Sequence, residues 1–238
     1  MIVRDFNKIE IKGDKLLKTF IGSDDLAYTM TDEISYYQKI QDSIFPKIYE
    51  FYENGYLMEY FKDYQPLQYI PKKHHKVIFE KIFKKYNEWG QYRKTSDVFY
   101  NFLYNKIPYD KKIHSILASN KETLCDLQII HGDLSTMNIL VNSELDIKFV
   151  DPRGSDIYGP IYYDLAKLYD SYILDFGDII SGFKHEFDLK LYEDYICKYN
   201  KKIILCILYI NLISKLKMHN ESEQKEFIKL AEKVYSWL

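Results

Sequence analysis

The fold is decided by the stretch HGDLSTMN at residues 131–138, together with Asp151 in FVDPRG. Two short apolar runs, NILVN and IKFVD, are joined by a polar turn and predict a β-hairpin that begins at Asn138 and ends at Asp151. The hairpin brings these two residues to one end, beside the predicted loop that carries Asp133. Two oxygen ligands for Mg²⁺ and one free carboxylate are what phosphoryl transfer requires.

The same stretch resembles the catalytic loop of the kinase-like fold, in the form found in aminoglycoside phosphotransferases and choline kinases. These families have His-Gly-Asp, a short variable stretch and Asn, whereas protein kinases have Arg in second place and Asp-Phe-Gly after the hairpin. Gly132 and the Asp-Pro sequence at the hairpin's end therefore favour the small-molecule branch. The resemblance implies that Asp133 is the catalytic base and that His131 braces the loop. It also implies that Mg²⁺ is bound by Asn138 and Asp151.

Along the chain, β-like segments precede helical ones. IEIK and KLLKTF predict a hairpin around Gly13-Asp14, KIYEFYENGYLMEYF predicts two strands around Asn54-Gly55, and TMTDEISYYQKI predicts a helix. From about residue 75 the pattern is mainly helical apart from the embedded hairpin. We therefore expect an α+β, protein-kinase-like fold of two lobes, with a small β-rich N-lobe at 1–61 and a larger, mainly helical C-lobe at 62–238.

The resemblance extends to further positions in both predicted lobes. Lys18 in LLKTF stands where this fold carries the lysine that pairs with the α- and β-phosphates, and Glu33 on the next helix is placed to ion-pair with it. Asp164 in YYDLAKL matches the later aspartate that supports the catalytic loop from below. The hinge, whose backbone groups hydrogen-bond adenine, corresponds to Glu59, Tyr60 and Phe61. The implied cofactors are ATP, with GTP left open, and Mg²⁺.

Two further features bear on how the phosphates of the nucleotide and the acceptor would be bound. The turn that covers the phosphates in this fold corresponds to Arg4-Asp5-Phe6-Asn7-Lys8, which contains no glycine. Arg153, just after the proposed metal ligand Asp151, is placed to contact an anionic group of the acceptor or nucleotide. An ion pair with a nearby carboxylate is the alternative for Arg153.

The expected partners are a nucleotide and a small molecule that carries a hydroxyl group. FVDPRG…GPIYYDLAKL resembles predicted phosphotransferases of bacterial surface-polysaccharide loci, which favours a sugar or sugar derivative as the acceptor. A choline-like or aminoglycoside-type amino alcohol is the alternative. Residues 151–194 are rich in Asp and Glu, which suits either a cationic or a hydroxyl-rich acceptor. A solvated helical surface also explains that composition. A catalytically inactive, kinase-shaped binding module is the rival from another class, and a protein kinase ranks third.

Composition excludes several other classes of protein. The 238 residues carry 33 Lys+Arg and 35 Asp+Glu, a formal net charge of −2, so nothing in the overall charge favours nucleic-acid binding. The first ten residues, MIVRDFNKIE, contain no apolar signal core, and the longest near-apolar run, Ile203 to Ser214, is far shorter than the roughly 20 residues of a membrane span. We therefore expect a cytoplasmic protein without nucleic-acid or membrane partners, and the sequence leaves its oligomeric state open. The three cysteines, predicted to be core residues rather than disulfides, are Cys125, Cys197 and Cys206.

Overall fold

The chain forms an α+β structure, as predicted. A computed structural model describes residues 2–4, 7–22, 27–154, 156–173, 188–216 and 220–238. It divides into two compact units that interleave along the chain. Unit 1 comprises residues 1–70, 131–133 and 137–157, and unit 2 comprises residues 71–130, 134–136 and 158–238. The lobe boundary at residue 61 remains a prediction, because the units do not follow chain order.

Unit 1 is built on a five-stranded antiparallel sheet. In spatial order its strands are β1 (Ile2–Arg4), β2 (Asn7–Lys12), β3 (Lys15–Phe20), β5 (Gly55–Glu59) and β4 (Ile48–Tyr52). The predicted hairpin of β2 and β3 is confirmed, and Lys12 pairs with Lys15 across its turn. Gly13 in this turn has a φ of +67°, which glycine adopts without steric cost. Asp5 and Phe6 of the predicted phosphate-covering turn lie outside the described residues.

The second hairpin turns one residue earlier than predicted. Tyr52 pairs with Gly55, so the two-residue turn is Glu53-Asn54 and not Asn54-Gly55. Gly55 instead begins β5, where a Cβ would overlap the carbonyl oxygen of Lys18 on the neighbouring strand. The glycine is therefore needed for the close approach of two strands and not for the turn itself.

The predicted helix of unit 1 is α1 (Ala27–Lys39). Its inward face buries Met30, Glu33, Tyr36 and Tyr37, which follow the spacing of one helical face. A second, three-stranded sheet has the order β10 (Ile147–Phe149), β9 (Ile139–Val141) and β6 (Gln65–Pro66), followed by a 3₁₀ turn at Leu67–Tyr69. The pairing of β9 with β10 confirms the hairpin predicted between Asn138 and Asp151.

Unit 2 is mainly helical in the part of the chain that is described. After a 3₁₀ turn at Lys72–His74 its helices are α2 (His75–Trp89), α3 (Val98–Asn105), α4 (Lys111–Ser119), α5 (Lys121–Cys125), α6 (Ile161–Ile173), α7 (Leu189–Ile196), α8 (Lys201–Lys215) and α9 (Glu221–Trp237). A small sheet has the order β11 (Tyr158–Gly159), β8 (Asp126–Ile129) and β7 (Arg93–Thr95). The core centres on α8, which packs against α4, α6 and α9 and is apolar on nearly every side.

The cysteines are placed as predicted in two cases out of three. Cys125 and Cys206 are buried, whereas Cys197 is exposed and the prediction for it is wrong. Tyr192 and Ile196 occupy the buried face of α7, and Cys197 follows one position later, which turns it about 100° away from that face. Among the described helices, none combines the length and apolar character needed to cross a membrane.

Candidate active site

The centre of the site is Lys18 on β3, whose residue surface is only 4% exposed. Its Nζ donates to both carboxylate oxygens of Glu33, at 2.9 and 2.8 Å, and to Oδ1 of Asp151 at 3.1 Å. The Tyr56 hydroxyl donates to Oε1 of Glu33 at 2.5 Å. Three residues predicted from the sequence, on β3, on α1 and after β10, therefore meet within unit 1.

The charges of this cluster stabilise one another against burial. Burial alone lowers the pKa of Lys18, but the carboxylates of Asp151 and Glu33 raise it, and the net direction is upward. Burial raises the pKa of Glu33 and the carboxylate of Asp151 adds to this effect, whereas the ammonium of Lys18 and the hydroxyl of Tyr56 lower the pKa; the net direction is upward. Both donors to Glu33 favour its carboxylate form, and both carboxylates favour the ammonium form of Lys18, so we infer that the pair is ionised.

The loop at 131–133 is held by His131, which is completely buried. The backbone N–H of Asp133 donates to Nδ1 of His131 at 3.2 Å, so this nitrogen carries no proton. Nε2 therefore carries the proton and donates to the carbonyl oxygen of Val150 at 2.9 Å. Phe45 stacks on the ring with a centroid distance of 5.9 Å. A neutral imidazole thus ties the loop bearing Asp133 to the end of the hairpin.

Gly132 is required by its surroundings. Its φ is +80°, and a Cβ at this position would overlap the carbonyl oxygen of Arg153. The carbonyl oxygen of His131 accepts from the N–H of Arg153 at 3.0 Å, so the two backbone segments run in direct contact. The second position of the His-Gly-Asp motif is glycine here for a steric reason, which the motif alone did not disclose.

Asn138 and Asp151 lie at the same end of the hairpin, as the sequence predicts. The N–H of Val150 donates to the carbonyl oxygen of Asn138 at 3.0 Å, and Nδ2 of Asn138 donates to the carbonyl oxygen of Asp133 at 2.9 Å. Asp151 has a φ of +56°, in the left-handed region that Asp and Asn enter more readily than other residues with a Cβ.

The donors at this end of the hairpin fit a magnesium ion that is bound together with a nucleotide. The carboxylate of Asp151 is 38% exposed, and the bond from Nδ2 of Asn138 identifies the other amide atom as an oxygen. Within the described residues, no three His, Cys, Asp or Glu side chains are grouped so that they could hold a metal. A set with one carboxylate and one amide suits Mg²⁺, which keeps waters and phosphate oxygens as its other ligands.

Arg153 lies beside the carboxylate of Asp133. Its Nε is 3.3 Å from Oδ2 of Asp133, and the side chains are 58% and 18% exposed, respectively. The structure thus contains the ion pair that the sequence left as one alternative for Arg153. The carboxylate involved is that of the predicted catalytic base.

The predicted hinge follows β5 in unit 1. The N–H of Glu59 donates to the carbonyl oxygen of Lys47 at 2.8 Å, and the N–H of Tyr60 donates to that of Asp14 at 3.0 Å. The ring of Phe61 packs against Tyr64 with a centroid distance of 5.2 Å. Two of the three hinge N–H groups are therefore used inside the unit, and no described acceptor is found for the third, on Phe61.

Asp164 belongs to unit 2, where it is completely buried and accepts a hydrogen bond from the hydroxyl of Tyr86. The loop segment after Asp133 is held in the same unit by Ser171 on α6, whose Oγ accepts from the N–H of Thr136 at 2.9 Å. Sequence reasoning missed Ser171, because an isolated serine in a helix carries no distinguishing pattern.

Sequence reasoning also missed Tyr56. The register of β3 and β5 pairs it directly with Lys18, so both side chains lie on one face of the sheet. The chain contains 24 tyrosines, and this background hides a single functional one. No local signal identifies Tyr56, because the pairing of β3 with β5 joins strands that are not neighbours in the chain.

An aromatic cluster in unit 2 holds an ammonium group from the chain itself. Nζ of Lys106 lies 4.8 Å from the ring centroid of Phe102 and 5.5 Å from that of Tyr163. It donates to Oδ1 of Asn211 at 2.9 Å, and Asn211 is only 2% exposed. Ring faces of the kind that bind organic cations are thus already in contact with a lysine.

Solved structures confirm the predicted kinase-like fold. The choline kinase LicA from Streptococcus pneumoniae has a TM-score of 0.60 and 15% identity, over 98% of this chain and 90% of that one. An aminoglycoside-3′-phosphotransferase of type VIII has a TM-score of 0.59 and 12% identity, over 89% and 92% of the two chains. A glucosamine kinase in complex with glucosamine, ADP and inorganic phosphate has a TM-score of 0.54 and 10% identity, over 98% and 79%. No protein-family model and no curated protein matches the sequence.

Proposed function

We propose that this protein is a small-molecule kinase that transfers the γ-phosphoryl group of ATP, with Mg²⁺, to a hydroxyl group. The observation that carries the proposal is the buried Lys18 held between Glu33 and Asp151, with Asp133 on the adjoining loop. Burying these charges costs free energy, and apolar residues in their place are often as stable or more stable. Stability alone therefore does not explain why this cluster is present. Similar folds among solved choline, glucosamine and aminoglycoside phosphotransferring enzymes support the same class.

Lys18 is the proposed ligand of the α- and β-phosphates. Its ammonium has three N–H donors, and the described bonds to Glu33 and Asp151 use all three. A phosphate oxygen must therefore replace one of them. Asp151 is the partner that yields, because its carboxylate is 38% exposed while that of Glu33 is 8% exposed and also bound by Tyr56.

Adenine is proposed to bind at the hinge formed by Glu59, Tyr60 and Phe61. The N–H groups of Glu59 and Tyr60 already donate to Lys47 and Asp14, so the donor to a ring nitrogen falls to Phe61. This assignment does not distinguish ATP from GTP, since both bases present an acceptor to one backbone donor. ATP is proposed because of the resemblance of the catalytic loop to that of the aminoglycoside and choline kinases.

Asp133 is the proposed general base. Its N–H is bound to His131 and its carbonyl oxygen to Asn138, so the backbone is held on both sides while the carboxylate accepts the proton of the acceptor hydroxyl. Mg²⁺, which Asn138 and Asp151 would hold, neutralises charge on the phosphates. Holding the reactants in line and in place accounts for most of the catalysis in this reaction class.

A sugar or sugar derivative of surface-polysaccharide metabolism is the proposed acceptor. The stretch from Asp151 to Leu168 supports it by resemblance, and the glucosamine kinase fold is consistent with it. A choline-type amino alcohol is the second candidate, which the choline kinase fold favours. Contact of Lys106 with Phe102 and Tyr163 weighs against a cation at those rings. We also propose a cytoplasmic location and no nucleic-acid partner.

The test is calorimetric titration of ATP into the protein with and without Mg²⁺. Wild type should bind in a Mg²⁺-dependent manner and Asp151→Ala should lose this dependence. Glu144→Ala, which removes an exposed carboxylate from the far end of the same hairpin, is the matched control and should bind as wild type does. Asp133→Ala should bind Mg–ATP but not transfer phosphate. Transfer that survives intact in Asp133→Ala contradicts the mechanism, and no binding of ATP or GTP favours an inactive binding module.

A further inference from the structure

Arg153 has a fixed place beside the proposed catalytic base. Its N–H donates to the carbonyl oxygen of His131 at 3.0 Å, and its own carbonyl oxygen fills the space next to Gly132. These two contacts hold the backbone from which the side chain extends. Nε then lies 3.3 Å from Oδ2 of Asp133. The loop contacts therefore hold the main chain of Arg153 close to Asp133, and the side chain reaches the carboxylate from there.

Stability does not account for this ion pair. The Arg153 side chain is 58% exposed, and a pair so open to water contributes little to the free energy of unfolding. The loop is already held by His131, which is bound to both Asp133 and Val150. A large, exposed cation at the proposed reaction centre is therefore better explained by a ligand than by folding.

We infer that Arg153 recognises an anionic group of the acceptor, which is an acidic sugar with a carboxylate or phosphate near its reactive hydroxyl. This inference rests on the proposed function. The hydroxyl must hydrogen-bond to Asp133 to lose its proton, and it then shares that carboxylate with the guanidinium. Groups that flank the hydroxyl come within reach of Arg153, whose planar donors match carboxylate and phosphate oxygens.

The experiment compares neutral sugars with their acidic counterparts. The acceptors are glucose, glucuronic acid and glucose 6-phosphate, with galactose and galacturonic acid as a second pair. The full chain is assayed with Mg²⁺ and ATP for ADP release, and each sugar is titrated by calorimetry in the presence of Mg²⁺ and a non-hydrolysable ATP analogue. The proteins are wild type, Arg153→Gln, Arg153→Lys and the control Lys12→Gln, which removes an exposed charge elsewhere in unit 1. Thermal unfolding checks that each variant folds.

Wild type should use or bind at least one acid better than its neutral counterpart. Arg153→Gln removes the ion pair with Asp133 as well, so it changes the activity on both kinds of sugar. The KM for the acid should rise about 10-fold or more relative to the KM for the neutral sugar, as expected for the loss of a charge-assisted hydrogen bond. Arg153→Lys should fall between, because it keeps the charge but loses the planar donors. Lys12→Gln should behave as wild type does.

Four results would overturn the inference. If wild type uses acids and neutral sugars equally, or if Arg153→Gln changes kcat/KM for both by the same factor, Arg153 only positions Asp133. If no acid binds or reacts while Mg–ATP still binds, the acceptor is not an acidic sugar of this panel's class, and the kinase proposal stands. If wild type does not bind Mg–ATP, the proposed function itself fails and this inference fails with it.

Discussion

The carbonyl oxygen of Arg153 occupies the space that a Cβ at position 132 would need. This contact joins the loop that carries Asp133 to the segment that follows Asp151, both within unit 1. It makes a glycine the only residue that fits without movement of one backbone or the other. The separation of the proposed base from the proposed metal ligands is thereby set by contact between main chains.

Gly132→Ala should displace the loop and lower both stability and activity. The left-handed backbone alone costs about 1–2 kcal/mol for a residue with a Cβ, and the overlap with Arg153 adds to it. Gly13→Ala is the matched control. Gly13 also has a positive φ, but no atom of the described residues lies within 4 Å of the place that a Cβ would take there. Urea unfolding and ADP release measure the two effects. Equal behaviour of both variants would show that the overlap is relieved without consequence.

Lys18→Met should destabilise the protein as well as abolish ATP binding. It leaves Glu33 buried at 6% exposure with only the hydroxyl of Tyr56 as a described donor, and removal of one partner of such a pair costs about 3–5 kcal/mol. The double variant Lys18→Met/Glu33→Gln should recover part of that loss, because the buried charge of Glu33 is then removed as well. Urea unfolding of both single variants and of the double variant measures the coupling free energy between Lys18 and Glu33. Purely additive losses would contradict an ionised pair.

Cys206 should contribute a pH dependence to stability in alkaline solution. Burial raises its pKa from 9.0 to about 12, so the unfolded chain loses this proton at lower pH than the folded one does. A group whose pKa is raised on folding contributes stability that is present below pH 9 and is lost as the pH rises toward 12. The free energy of unfolding should fall less steeply over that range in Cys206→Ala than in wild type. Equal slopes of the free energy of unfolding against pH in the two proteins would show that the Cys206 thiol does not contribute to the pH dependence.

Lys106→Met should lower stability through Asn211. The substitution removes the donor at 2.9 Å from Oδ1 of Asn211, whose buried Nδ2 already has no hydrogen-bond partner among the described residues. Loss of the bond at a buried amide costs about 1–3 kcal/mol. Lys121→Met is the control, since its ammonium also lies over a ring, that of Tyr100 at 5.1 Å, but at an exposed position. A thermal shift no larger than that of the control would mean that water replaces the lysine.

The sequence predicted the elements whose signals are local. The hairpins of unit 1, the helix α1 and the hairpin between Asn138 and Asp151 follow from alternation, helical spacing and turn residues close together in the chain. One turn was predicted one residue too late in the chain. Gly55 is needed for close contact with the neighbouring strand β3 and not for the turn of its own hairpin. The prediction that Cys197 is buried was wrong because consecutive residues of a helix point about 100° apart, so Cys197 is exposed next to the buried Ile196.

The resemblance of the sequence to the kinase-like fold predicted that Lys18 and Glu33 form an ion pair, and the structure contains that pair. The roles of Asp133, Asn138 and Asp151 in catalysis and metal binding stay predictions. The separation of these residues in sequence is bridged by predicted strands and turns, whose geometry is nearly invariant. Tertiary structure alone decided the partners that no local pattern marks: the bond from Tyr56 to Glu33, the steric need for Gly132, and the placement of Arg153 on Asp133. These depend on strand register and on backbone segments that meet across long stretches of chain, and a shift of one residue would abolish each of them.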